Sequence, residues 1–83
     1  MTLLYFSWVR QKLGKGQEEF CLPEGCETVA DLVCYLEKQS PAYADVFAQR
    51  DRLRTAVNQT HVPFDAPVGP DDEVAFFPPV TGG

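Results

Sequence analysis

The sequence predicts an α+β fold: a mixed β-sheet packed on one main helix, with a flexible Gly-Gly tail at the C-terminus. Three observations predict it. Apolar stretches of strand length lie near both ends, at residues 2–9 and 73–77. Between them one clear helical stripe begins at Thr28. The chain then closes on Pro78-Pro79-Val80-Thr81-Gly82-Gly83, where two prolines stop ladder hydrogen bonding.

In residues 2–9, Leu3 and Tyr5 would face one side of a strand and Leu4 and Phe6 the other, with Trp8 on the side of Phe6. Gly14 and Gly16 mark 11–17 as a turn, and 18–22 resumes an extended pattern up to Pro23-Glu24-Gly25. Residues 2–22 therefore read as a β-hairpin. Thr28 followed by Asp31 is a capping pattern, since the hydroxyl can accept a hydrogen bond from an early backbone N–H. Val29, Leu32, Val33 and Leu36 then recur at i, i+3, i+4 and i+7, which is one helical face. Pro41 ends this helix near Gln39. Cys34, beside the stripe, reads as a small buried hydrophobe.

A short helical turn is expected over 43–49, a short strand over 55–57, and a turn at Asn58-Gln59. Residues 61–64 are extended and 67–72 form a loop. The last strand, 73–77, is the best-buried one, with Val74 and Phe76 on one face and Ala75 and Phe77 on the other. A hairpin, one long helix and then strands is the element order of the β-grasp, ubiquitin-like fold. By that analogy the first and last strands pair in parallel. The division expected is a β-grasp domain at 1–78 and an extended tail at 79–83.

A chain of 83 residues makes one domain. It buries only about 60–65% of the surface that its unfolded form exposes, so the core is thin and function belongs on the surface or at a terminus. The net charge of −5 is uneven: all seven Lys and Arg lie at or before Arg54, and only Asp65, Asp71, Asp72 and Glu73 follow. An acidic chain releases no counterions from a phosphate backbone, which argues against nucleic acid and for a basic partner surface near the C-terminal half. The apolar run at the N-terminus has no basic residues ahead of it and is too short for a membrane span. Three cysteines, Cys21, Cys26 and Cys34, make no closed disulfide framework. A cytoplasmic protein with reduced thiols fits these features.

No triad, carboxylate dyad or phosphate loop is legible, so the chain is not expected to act as an enzyme alone or to bind a cofactor. The three cysteines lack paired C-x-x-C spacing and His61 is the lone imidazole, which argues against a metal site. The chemistry falls instead on the terminus. Its proline pair favours a stiff, extended tail and lowers the entropy lost on docking. Gly82 and Gly83 carry no side chains, so the end can enter a narrow channel. A carboxylate is a poor electrophile, but conversion to an acyl-adenylate supplies a leaving group. Sulfur can then attack and leave a terminal thiocarboxylate, an anionic soft nucleophile that delivers sulfur onward.

Two stretches carry a resemblance: Ala56-Val57-Asn58-Gln59-Thr60 and, above all, the twelve residues from Asp72 to Gly83. Both are similar to the small subunit of molybdopterin synthase, a ubiquitin-like sulfur carrier family, and a twelve-residue match ending at the terminus is specific where a bare Gly-Gly is not. The resemblance implies adenylation of Gly83 by an E1-like enzyme that uses ATP, then thiocarboxylation from a sulfur-donor system. The tail would enter the large synthase subunit and pass sulfur to cyclic pyranopterin monophosphate, in a heterotetramer of two small and two large subunits. By position, Gly82 and Gly83 match the working tail, with Pro79, Val80 and Thr81 leading into it. Phe77 matches a docking residue, and Phe6 and Arg10 fall at interface positions. His61 departs from the apolar residue often found there. The competing readings are a carrier for thiamine or tRNA thiolation, a ubiquitin-like modifier, and a non-catalytic β-grasp interaction domain.

Overall fold

The computed structural model describes residues 1–79. Val80, Thr81, Gly82 and Gly83, all read above as tail residues, lie outside the described residues.

The elements run β1 (Thr2–Tyr5), α1 (Ser7–Leu13), β2 (Gln17–Glu19), α2 (Val29–Glu37) and α3 (Pro41–Phe47). A single 3-10 turn (Arg50–Arg52) leads to β3 (Arg54–Val57), β4 (Thr60–Val62) and β5 (Glu73–Phe77). The strands form one mixed sheet in the order β2-β1-β5-β3-β4. Central β5 runs parallel to β1, with Leu3 opposite Val74 and Tyr5 opposite Phe76, and antiparallel to β3, with Thr55 opposite Phe76. The parallel pairing expected by fold analogy is present.

The sheet is asymmetric because the pleat sends alternate residues to opposite faces. Leu3, Tyr5, Val74 and Phe76 are fully buried in one cluster with Val29, Leu32, Val33 and Leu36 of α2 and with Val46 and Phe47 of α3. Phe47 meets Phe76 edge-on, with ring centroids 5.0 Å apart. Each such side chain contributes about 1.5–3 kcal/mol by leaving water, so a dozen of them hold a domain of this size. The four stripe residues of α2 are the four predicted. Thr28 caps the helix reciprocally: its hydroxyl accepts from the Asp31 N–H at 3.2 Å, and the Asp31 carboxylate accepts from the Thr28 N–H at 3.1 Å.

The N-terminal segment departs from the hairpin expectation. The strand stops at Tyr5, and residues 7–13, expected to be strand and turn, form α1. Phe6 is extended and Ser7 has φ 56°, so the chain turns sharply out of the sheet there. Val9 is buried, Trp8 and Leu13 pack against the core cluster, and Gly14 closes the helix in the left-handed region at φ 76°. Strands β1 and β2 do pair antiparallel, but through a helical connection rather than a tight turn. Trp8 consequently does not share a strand face with Phe6.

Three smaller differences follow from local physics. Pro41, read as the end of α2, is also the first residue of α3, where its missing N–H leaves no bond unmade. The second helix therefore spans Pro41–Phe47 rather than 43–49. Cys34 is exposed, not buried, because it sits past the edge of the Val33–Leu36 stripe; the Arg50 guanidinium lies 3.8 Å from its sulfur.

Candidate functional site

With α2 and α3 on one face, the sheet presents its other face to solvent. The register sets its composition. Leu4, Ala75, Ala56 and His61 lie in one row across β1, β5, β3 and β4, and Arg54 stands opposite Phe77 in the next. The His61 and Phe77 rings meet at 5.0 Å between centroids, tilted by 47°. Phe6 extends the alternation of β1 by one residue, on the side of Leu4, and its N–H donates to the Phe76 carbonyl at 3.2 Å. It is the one large hydrophobic side chain exposed among the described residues, at 48%. Three predicted site residues, Phe6, Phe77 and His61, thus gather at the tail end of one sheet face, around a small apolar centre of Leu4, Ala75 and Ala56.

Arg10 is held apart from this face. It lies on α1, and its side chain covers Gly16 so closely that a Cβ there would come 3.1 Å from Nε. It lines a shallow, open depression with Ser7, Gln11, Gly14, Lys15 and Gly16. Pro79 marks the root of the tail. With Pro78 it walls a second groove together with Trp8, Asp51 and Arg52. The Arg52 guanidinium lies 5.4 Å from the centre of the Trp8 ring. Leu4, Ala56 and Ala75 in the row, Arg54 beside Phe77, and the Trp8–Arg52 pair were not singled out in the sequence. Alternation, which already set Leu4 beside Phe6 and Ala75 beside Phe77, is the signal that, carried along β3, could have added Arg54 and Ala56.

What aims the tail is the fixed start of β5. Asn58 and Gln59 both adopt positive φ, 51° and 69°, and turn β3 tightly into β4. The Asn58 side chain accepts from the Glu73 N–H at 3.0 Å and donates to the Asp72 carboxylate at 2.9 Å. The Gly69 N–H donates to the other Asp72 oxygen at 2.7 Å. The Asn58 amide, followed by the Gly69 N–H, holds the Asp72 carboxyl below the usual carboxylate range. From this anchor β5 runs through the centre of the sheet and delivers Pro78 and Pro79 at its edge.

Among the described residues no three His, Cys, Asp or Glu side chains come together as a metal site, and no helix is long and apolar enough to cross a membrane.

The chain matches the ThiS family over residues 3–83. It belongs to that family. The match bears out the resemblance read from the Asn58 and Asp72–Gly83 stretches. A molybdopterin synthase sulfur carrier subunit of Escherichia coli is 42% identical over 83 residues, covering 100% of this chain and 99% of that protein. Among solved structures, a putative molybdopterin converting factor subunit 1 from Pyrococcus furiosus is 32% identical with a TM-score of 0.74, covering 95% of each chain. SAMP1 from Haloferax volcanii superposes with a TM-score of 0.76 at 26% identity, covering 100% of this chain and 98% of that one. The β-grasp, ubiquitin-like architecture of this ThiS-family chain is thereby shown.

Proposed function

We propose that this chain is the sulfur carrier subunit of a molybdopterin synthase, working in the cytoplasm through the carboxylate of Gly83. The observation that carries the reading is the 42% identity, over the whole chain, to a protein of that name. The arrangement of the domain supports it: a central strand leads to the tail, and the sheet face that gathers Phe6, Phe77 and His61 stands beside the strand's end.

An E1-like adenylyltransferase joins the Gly83 carboxylate to AMP from ATP and releases pyrophosphate. A sulfur-donor system then displaces AMP and leaves a thiocarboxylate. The tail, from Pro79 through Val80 and Thr81 to Gly82 and Gly83, enters the large subunit, where the thiocarboxylate sulfur attacks cyclic pyranopterin monophosphate. Hydrolysis of the resulting acyl group returns Gly83 to the carboxylate for another cycle. ATP is bound by the activating partner, and this chain holds no cofactor of its own. Phe77, Phe6 and His61 form the docking face, Arg10 adds a separate contact from α1, and two small and two large subunits assemble. The enclosed pocket and its charge-stabilising groups belong to the large subunit, since the carrier contributes only a positioned reacting group.

The test is the mass of the C-terminal peptide after incubation with ATP, the activating enzyme and a sulfur source. Exchange of oxygen for sulfur localised to Gly83 supports the carrier chemistry. An unchanged Gly83, in a reaction where a known carrier is converted, removes it and leaves an interaction domain.

A further inference from the structure

We propose that the groove formed by Trp8, Asp51, Arg52, Pro78 and Pro79 is a docking notch for the large synthase subunit, which supplies a carboxylate to Arg52 and an apolar side chain to the indole and proline faces. The inference rests on the function proposed above and adds the chemistry of the contact.

The tail's length keeps the partner near the groove. Four residues follow Pro79, and fully extended they reach at most about 13–14 Å. A pocket that takes hold of Gly83 therefore has its mouth within that reach of Pro79, which with Pro78 walls the groove. A subunit that encloses the tail and rests on the two prolines shares the groove with Trp8 and Arg52.

Covering Arg52 sets a requirement on the partner. Its guanidinium stacks over Trp8, and one nitrogen donates to the Gln49 side-chain oxygen at 2.8 Å. Among the described residues the ion pairs are Lys15–Glu18 and Arg50–Glu37, so Arg52 has no carboxylate within ion-pair distance, neighbouring Asp51 included. A guanidinium removed from water without a counter-charge opposes binding, whereas a bidentate carboxylate offsets its desolvation. Arg54, exposed on β3 opposite Phe77, adds a second cation at the same end of the sheet. Against these two cations stands one acid of the groove, Asp51, so the tail end keeps an excess of positive charge although the chain carries −5 overall. The partner surface expected there is acidic, the reverse of what the linear charge distribution suggests. The apolar part of the notch, indole and two pyrrolidine rings, fits an aliphatic or aromatic side chain beside that carboxylate.

The test measures affinity of the full-length chain for the isolated large subunit across a salt series. Arg52→Gln should bind about tenfold more weakly, Arg52→Glu more weakly still, and both should lose affinity less steeply with salt than the parent chain. Phe77→Ala serves as the reference for the sheet-face contact, and matching thermal midpoints establish that the Arg52 variants are folded. If Arg52→Glu binds like the parent while Phe77→Ala is weakened, the notch is overturned and the carrier function stands. If Arg52→Glu weakens binding only to the activating enzyme, the assignment to the large subunit is overturned. If the parent chain itself does not bind the large subunit, the carrier reading fails and the notch with it.

Discussion

Asn58 donates its side-chain amide to Asp72 at 2.9 Å, joining the β3–β4 turn to the residue that precedes β5. The two residues sit in the two stretches that resemble the sulfur carriers, so the resemblance has a structural cause. One stretch makes a left-handed turn, the other starts the central strand, and the Asn58 side chain fixes one against the other. Substituting Asn58 by Gly keeps the positive φ and deletes the bonds to Asp72 and the Glu73 N–H. The expected loss is about 1–2 kcal/mol, read as a lower urea midpoint at neutral pH. Because the Asp72 carboxyl is held low by Asn58, its contribution is present at neutral pH and fades as pH falls through its folded value. The gap between variant and parent should therefore narrow in acid without closing, because the lost bond from the Glu73 N–H does not titrate; a gap of constant size would refute the assigned cause.

Phe77 and Phe76 differ in burial, which lets the proposed docking role be tested apart from folding. It is half-buried beside His61, while its neighbour Phe76 is fully buried against Phe47. Phe77→Ala should weaken binding to the large subunit by about 1–3 kcal/mol, as the loss of an aromatic anchor does. Phe76→Ala should instead cost about 3–5 kcal/mol of folding stability. Titration calorimetry and urea unfolding on both variants check the division, and equal stability losses would remove it.

Helix α2 and strand β5 were legible because their signals are local. A capped stripe of four apolar residues and a period-two alternation stopped by proline need no distant partner to be read. Helix α1 was not, because its seven residues bury only Val9 completely and follow an aromatic-rich stretch that favours a strand. Gly14 at the C-terminal end, with Arg10 and Lys12 in the last turn, was the available signal. The site divides the same way. Phe77 and the tail follow from strand alternation and the terminal motif, but the His61–Phe77 contact depends on the register through β3. The Trp8–Arg52 pair exists only because α1 replaces an expected strand and places Trp8 near the 3-10 turn.

The capping of α2 gives a prediction about the main helix alone. Thr28→Ala removes the hydroxyl that accepts from Asp31 and frees the reciprocal carboxylate. The expected loss is about 1 kcal/mol, and Thr28→Ser, which retains the oxygen, should recover most of it. Thermal unfolding that ranks alanine level with serine would place the helix's stability in its buried stripe alone.

Glu18 ties three elements together and makes stability pH-dependent at both ends of the scale. The hydroxyls of Tyr5 on β1 and Tyr43 on α3 both donate to one Glu18 oxygen at 2.6 Å, and Lys15 pairs with the other at 3.1 Å. Burial works to raise the Glu18 carboxyl, but the Tyr43 and Tyr5 hydroxyls, followed by Lys15, hold it below the usual range. Its stabilisation is present above the unfolded value of about 4.3 and is lost as pH falls through the lower folded value. On the alkaline side burial first, then the Glu18 carboxylate, raises both tyrosine hydroxyls above their ordinary range. The stability they contribute is present below about pH 10 and is lost as pH rises through their folded values. Glu18→Gln keeps an acceptor and removes the charge, so it should lower stability at pH 7 by about 1 kcal/mol. It should also flatten the fall in urea midpoint between about pH 5 and 3, leaving the smaller slope due to Asp31 and Asp72, whose carboxyls are likewise held low. Midpoints that decline equally in parent and variant would show that the two tyrosines bind this carboxylate without coupling its charge to the fold.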